Sequence, residues 1–399
     1  MVGARLKVAF VDYVLEPDKP GRSGLSDIVW DMASALIDQG HEAHVVASYN
    51  TTAYPDKRVV VHNFKAPPMG YRNVVGNAWL LKRASTIVKR LEPDIVHAPE
   101  YVSTALFAAY GVSQPIVLTV PGNIYHRLKE NNPVEWYYAQ ILKWAAKASA
   151  RNCASVIAIS KEMKCWWERT GSPPDHTPWI PLGVDPERFR PVPDARAKLG
   201  IPKDQLFLLY VGRFSEEKGL RHLLDAIAQA NSQFRLARLR VTLIGSGRLE
   251  RELLERIRRD DLGAILDLQP WVEQEELKLW YSAADALVLP SRNEPLGRVM
   301  CEALSCGTPV IATASEGPRD HIQDGTNGYL LPLGDVTALE DVIRTVLSEP
   351  ETLAGMRPTA LSYAQQNLAW PGIVGRIVQE VYYPAIAQRD RHNATARHV

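Results

Sequence analysis

Two glutamates eight positions apart, Glu294 and Glu302, carry the most informative spacing in the chain, within NEPLGRVMCEALSCGTPVIAT (293–313). The segment follows an apolar run and opens a helical pattern, which places Glu294 in a loop and Glu302 about one turn into a helix. Pro295, Leu296, Gly297 and Arg298 form the turn between them. The N–H groups of Leu296 to Val299 would then stand at a helix N-terminus. Unpaired donors and the positive end of the macrodipole there suit an anion or sugar hydroxyls. The bland alternative is a solvated carboxylate pair. Arg213 and Lys218 in VGRFSEEKG (211–219) follow a strand and precede a helix. Two cations at a strand's carboxyl end suit a diphosphate, which arginine can hold through two parallel N–H bonds. Taken singly, each would be an ordinary surface cation. The glycine-rich loop GRSGLS (21–26) lets backbone approach a ligand closely, with Gly24 as the contact. On its own such a loop is a weak signal.

These residues need elements to hold them. RLKVAFVDYV (5–14) is apolar and β-branched and reads as a buried parallel strand. SDIVWDMASALIDQG (26–40) has apolar residues at helical spacing, Ser26 as N-cap and Gly40 as stop, and HEAHVVAS (41–48) is the next strand. DIVHAP (94–99), PIVLTV (115–120) and SVIAIS (155–160) continue the alternation. Seven prolines between Gly171 and Gly200 stiffen a connection. A second series follows, with strands in LFLLYVG (206–212), RVTLIGSG (240–247), AILDLQ (264–269), ALVLPS (286–291) and PVIATA (309–314), and helices between them. The order predicts an α/β chain of two doubly wound, Rossmann-like domains facing across a cleft, with ligands beyond the carboxyl ends of the strands. The expected domains are 1–185 and 186–370, then a C-terminal helix over 371–387 packing on the first domain and a loose tail over 388–399.

Composition narrows the class. The 399 residues carry a net charge of +1, which gives no electrostatic footprint for nucleic acid. No apolar run reaches the roughly 18 residues of a membrane helix. Asp12 interrupts the first apolar run, which argues for a strand over a signal peptide. Cys153, Cys165, Cys301 and Cys306 form no C-x-x-C pair and read as thiols of a reducing cytoplasm. WLLKRASTIVKRL (79–91) and EWYYAQILKWAAKASAR (135–151) are basic, amphipathic or aromatic. Contact with the inner face of a membrane is a secondary reading of them, behind ordinary one-sided packing.

With these motifs in order, the chain resembles the retaining glycosyltransferases of family 4, which have the GT-B fold. The family signature is E-x-F-G-x-x-x-x-E-A, and Glu294, Gly297, Glu302 and Ala303 stand in register with Leu296 in place of Phe. HEAHVV, IPLGVDPERF (180–189) and DGTNGYLLP (324–332) resemble softer family motifs, so the resemblance spans about residues 5 to 385. It implies that Glu302 binds the donor ribose. Glu294, with Leu296 and Gly297, would hold the donor sugar, Arg213 and Lys218 the pyrophosphate, and Arg298 and Val299 would belong to the donor-binding set. Gly24, Gly245 and Val272 would complete the donor side, the last beside the base. Arg213, Lys218 and Glu294 would be the catalytic set.

The chain departs from the family where Pro121 stands in place of a histidine. His97, at a strand end, and His126 are the acceptor-side candidates, with ordinary packing or surface roles as the alternatives. No Asp-x-Asp occurs, so no metal and no other cofactor is expected, and the nucleotide-sugar is a substrate. A UDP-sugar is favoured. The acceptor, whether a sugar, a natural product or a lipid-linked molecule, stays open, as does oligomeric state. Competing readings are a nicotinamide enzyme, suggested by LIGSGRLE and Asp267, a same-fold epimerase or phosphorylase, and a binding protein without turnover.

Overall fold

The computed structural model describes residues 4–15, 25–49, 56–64, 74–98, 107, 109–120, 133–234 and 238–396. The chain divides into two units, residues 1–183 with 370–399, and residues 184–369. Each unit is built on one six-stranded parallel sheet.

In the first unit the order is β3-β2-β1-β4-β5-β6, from β1 (Lys7–Leu15), β2 (Glu42–Tyr49), β3 (Val60–Asn63), β4 (Ile95–Ala98), β5 (Ile116–Thr119) and β6 (Ser155–Ile157). β4 and β5 are buried along their whole length, as expected of strands covered on both faces. β3 was not anticipated: it is a four-residue edge strand exposed at both ends, with Val60 half out in water, and too short to stand out. The first helix runs Leu25–Asp38, so Ser26 lies in its first turn and not at the cap, and Gly40 follows it at φ +86°. The basic segments form the helices Val74–Leu91 and Pro133–Asn152, and Trp144 on the second is 64% exposed.

The C-terminal segment belongs to this unit. The helix Trp370–Ile377 packs on Leu25–Asp38. Trp370 Nε1 donates to Asp31 Oδ2 at 3.3 Å and Gln39 Nε2 to Pro371 O at 2.7 Å. A π-turn (Val378–Tyr382) leads into a helix over Tyr383–Ala396. The residues from 388, expected as a loose tail, therefore continue a helix as far as Ala396. Their exposed polar side chains give no sequence signal that separates helix from coil.

The second unit has the order β12-β11-β10-β7-β8-β9, from β7 (Leu206–Val211), β8 (Leu239–Ile244), β9 (Leu266–Gln269), β10 (Ala286–Leu289), β11 (Val310–Thr313) and β12 (Gly328–Leu331). β7, β10 and β11 are wholly buried. Their core partners come from helices such as Leu220–Phe234 and Val336–Ser348, with Leu223, Leu224, Ile227, Ile343 and Val346 all out of water. Each such side chain contributes about 1.5–3 kcal/mol by burial. Strand order reverses between β7 and β10. That is the topological switch point, where two neighbouring loops diverge and leave a crevice at the carboxyl ends.

Candidate donor site at the switch point of the second unit

The two charged motifs follow the two strands that flank this switch point. β7 ends in the loop of Arg213 and Lys218, and β10 ends in the loop of Glu294. β10 pairs directly with β7, with Ala286 opposite Leu208. Residues 76 positions apart are thereby joined: Lys218 Nζ lies 2.5 Å from Glu294 Oε2. The side chains are 16% and 12% exposed, so the pair is poorly screened by solvent.

The backbone fixes both loops. Lys218 ends a short 3₁₀ turn, Glu216–Lys218, closed by Gly219 at φ +67°. A Cβ at Gly219 would stand 1.9 Å from Pro290 O, so only glycine lets this turn lie against the end of β10. Arg292 N donates to Glu217 O at 2.8 Å across the same junction. On the other side, Gly317 N donates to Glu294 O at 2.8 Å, and a Cβ at Gly317 would meet Leu296 O at 2.1 Å.

Gly297, at φ +84°, caps the helix Arg298–Ser305, whose internal bonding starts with Met300 N to Gly297 O at 2.8 Å. The turn from Leu296 to Val299 thus presents the end of the helix that attracts anions. Leu296 itself is 4% exposed. Its side chain is core, which explains why leucine serves where the family has phenylalanine, and only its backbone is available to a ligand. Arg298 lies 3.7 Å, guanidinium to carboxylate, from Glu302 Oε1.

Glu302 is 5% exposed and accepts a hydrogen bond of 2.8 Å from the Tyr281 hydroxyl. Burial, then the carboxylates of Glu302 and Glu294 with Arg298 opposing, push the Cys301 thiol up, so it is inert packing. Arg213 is the exposed member of the set: its guanidinium touches Glu217 at 3.4 Å and its carbonyl accepts from the Tyr210 hydroxyl at 2.9 Å.

The loops after β8 and β9 adjoin this group. Gly245 and Gly247 make room for Gly212 O and Phe214 O, which a Cβ would meet at 2.0 and 2.4 Å. Phe214 N donates to Ser246 O at 2.8 Å. Trp271 Nε1 donates to Ser246 Oγ at 2.9 Å, which joins the half-buried Val272 segment to the same rim. The glycines of LIGSGRLE are therefore explained by backbone approach. Asp267 is held within the sheet by Thr242 Oγ1 and Gln269 Nε2, both at 2.9 Å, and does not stand as a dinucleotide's ribose ligand.

The acceptor-side candidates fare differently. Gly24, Pro121 and His126 lie outside the described residues. His97, expected at a ligand-facing strand end, is instead a core residue, 2% exposed. Its Nδ1 meets Tyr382 OH at 2.6 Å and its Nε2 meets Thr119 Oγ1 at 2.8 Å, so both nitrogens are occupied within the fold. Burial lowers its pKa from 6.5 to about 3. Burial also lowers His41, His44 and His62, with His62 further lowering His44.

Below 6.5 the unfolded chain takes up protons that the folded chain refuses. His97 stabilisation is full above that value and is lost as pH falls from 6.5 towards 3. An NMR titration should show one imidazole that stays neutral from about pH 8 to 5 and vanishes in His97→Gln. A His97 signal that moves near its ordinary value would overturn the burial.

The softer motifs prove architectural. In DGTNGYLLP, buried Asn327 accepts from Gln323 N at 2.8 Å and donates to His321 O at 3.1 Å, shaping the turn into β12. In IPLGVDPERF, Gly183 lies under the Trp370 ring, 2.4 Å from where a Cβ would be. The residue that sequence spacing missed is Tyr281. Its one signal was a tyrosine inside an apolar stretch, whose hydroxyl must find a partner once buried.

Two family models match the chain in succession: Glycosyltransferase Family 4 over residues 22–188 and Glycosyl transferases group 1 over residues 192–362. A D-inositol 3-phosphate glycosyltransferase of Arthrobacter sp. (strain FB24) is 27% identical over 98% of both chains. D-inositol 3-phosphate glycosyltransferase 1 of Catenulispora acidiphila is 36% identical over 225 residues, a match that spans about half of each, 54% of this chain and 53% of that one. Among solved structures, sucrose-phosphate synthase from Thermosynechococcus elongatus superposes with a TM-score of 0.79 at 23% identity, covering 96% of this chain and 100% of that one. Anabaena Alr3699/HepE in complex with UDP superposes with a TM-score of 0.76 at 21% identity, covering 95% and 100%. At such identities the likeness is one of fold, the GT-B arrangement of two doubly wound sheets.

Proposed function

The chain belongs to glycosyltransferase family 4, the group 1 glycosyl transferases, and on that premise we propose that it moves a sugar from a nucleoside diphosphate to an acceptor hydroxyl. The observation that carries the reading is the Lys218–Glu294 pair at the switch point. It stands at the carboxyl ends of β7 and β10, and the helix Arg298–Ser305, which carries Glu302, follows the same loop as Glu294. Arg213, Lys218 and that helix end supply fixed positive charge to the departing diphosphate, so the reaction needs no metal. Glu294 and the backbone of Leu296 to Val299 hold the sugar, and Glu302 accepts from the ribose hydroxyls. Gly245 and Val272 border the nucleoside. A bond forms between the acceptor oxygen and the anomeric carbon as the bond to the phosphate oxygen breaks. The acceptor proton passes to that leaving oxygen, on the same face, so configuration is retained.

UDP is the favoured nucleotide, because fold neighbours were solved with UDP and UDP-glucose. For the acceptor, the relatives' name supports D-inositol 3-phosphate as the first compound to assay, ahead of other sugars, natural products and lipid-linked hydroxyls.

Thermal shift with UDP, GDP and ADP in EDTA tests the donor site. A nucleotide at about 100 times its Kd adds about 2.7 kcal/mol of stability. One nucleotide should stabilise the wild type and stabilise Glu302→Ala markedly less. If none of the three stabilises the protein, with or without magnesium, the donor-site reading is wrong.

A further inference from the structure

Tyr281 sits near the end of the helix Gln274–Ala283, outside both charged motifs, and is 0% exposed. Its hydroxyl donates to Glu302 Oε2 at 2.8 Å. The tyrosine is itself fixed. Its carbonyl accepts from Thr308 Oγ1 at 2.6 Å, and its ring lies tilted against Phe189 with centroids 6.1 Å apart. Burial, and after it the negative charge of Glu302, hold the phenol pKa well above 10. It therefore stays an O–H donor at any pH the protein meets.

The carboxylate it touches is almost out of water, so this hydroxyl replaces hydration that Glu302 has lost. The last torsion of a glutamate is otherwise broad and two-fold. A donor fixed on Oε2, with the Arg298 guanidinium 3.7 Å from Oε1, sets the plane of the group. A carboxylate offers about four acceptor positions. Tyr281 takes one of them.

We propose that Tyr281 is a positioning residue for the nucleotide's ribose: its hydroxyl holds Glu302 in the one orientation that accepts both ribose hydroxyls. The inference rests on the donor-site reading above, since it assigns to Glu302 the diol that reading implies.

Calorimetric titration of the full chain with UDP and with 2′,3′-dideoxy-UDP separates the two. In Tyr281→Phe, which removes one oxygen from a buried ring, UDP affinity should fall about tenfold, the worth of one hydrogen bond to a charged group. Affinity for the dideoxy compound should change less than about twofold, so the ribose-to-dideoxyribose preference narrows. That preference is measured inside each variant, and a partly unfolded preparation lowers both affinities without changing it. In a Glu302→Ala background the tyrosine substitution should have no further effect on UDP binding. An unchanged preference in Tyr281→Phe overturns the positioning role while the donor site stands. Equal losses for both nucleotides make Tyr281 a packing residue and also overturn it. Wild-type protein that binds neither UDP, GDP nor ADP removes the donor reading, and this proposal with it.

Discussion

Lys218→Ala is expected to lower kcat by about two to three orders of magnitude and to abolish the nucleotide-induced thermal shift. The size of the effect comes from what is left behind. Lys218 Nζ and Glu294 Oε2 are 2.5 Å apart, and both side chains are mostly buried. On the proposed donor reading, removing the cation withdraws charge from the diphosphate, and it leaves the Glu294 carboxylate uncompensated. An arriving diphosphate then meets net repulsion. The unliganded protein should lose about 1–2 kcal/mol, between the values for exposed and fully buried pairs. A double variant, Lys218→Met with Glu294→Gln, removes both charges and should bind UDP better than Lys218→Met alone. If the single variant keeps a wild-type shift and rate, Lys218 is structural and the diphosphate is held elsewhere.

Gly219→Ala should unfold the second unit more readily, by about 3–5 kcal/mol, and should cost donor binding in whatever protein folds. Two independent penalties meet at this position. Its φ of +67° disfavours any residue with a Cβ, and the added carbon would stand 1.9 Å from Pro290 O, a backbone atom that cannot swing aside. The loop must lift off the end of β10, and Lys218 moves with it, away from Glu294. A displacement of about 1 Å in a catalytic group costs on the order of a hundredfold in rate. Gly355→Ala is the internal control. Gly355 is exposed within the helix Glu351–Asn367, and a Cβ there meets nothing within 4 Å, so alanine should stabilise by about 0.5–1 kcal/mol. Equal urea midpoints for Gly219→Ala and wild type would show that the turn is not constrained as described.

The charged motifs were legible because each is local. NEPLGRVMCEALSCG and VGRFSEEKG are strand–loop–helix units, and their residue types state their chemistry before any partner is known. The strands were legible for the same reason: β7 and β10 are unbroken apolar runs that a doubly covered parallel sheet accommodates. Legibility stopped where a contact joins distant segments. His97 reads as a polar residue at a strand end, a natural ligand. Its partner Tyr382 lies 285 positions away, and nothing in either segment announces the other. The residues from 388 to 396 were missed because exposed polar residues carry no periodicity that separates helix from coil, and β3 because four half-exposed residues at a sheet edge are too few to show an alternation.

The sequence by itself determined the types of the buried elements, the two successive strand–helix series, and the identity of the charges offered at strand ends. Periodicity, glycine placement and side-chain chemistry act over a few residues and survive without coordinates. Only the tertiary structure decided which strands are neighbours. Parallel strands pair across long connections, so the sequence tells which faces a strand must bury and leaves open what lies beside it. The order β10-β7 brings Lys218 to Glu294, and Tyr281 reaches Glu302 from a helix that precedes β10. Those two contacts turn a list of plausible residues into a charged crevice with a fixed carboxylate.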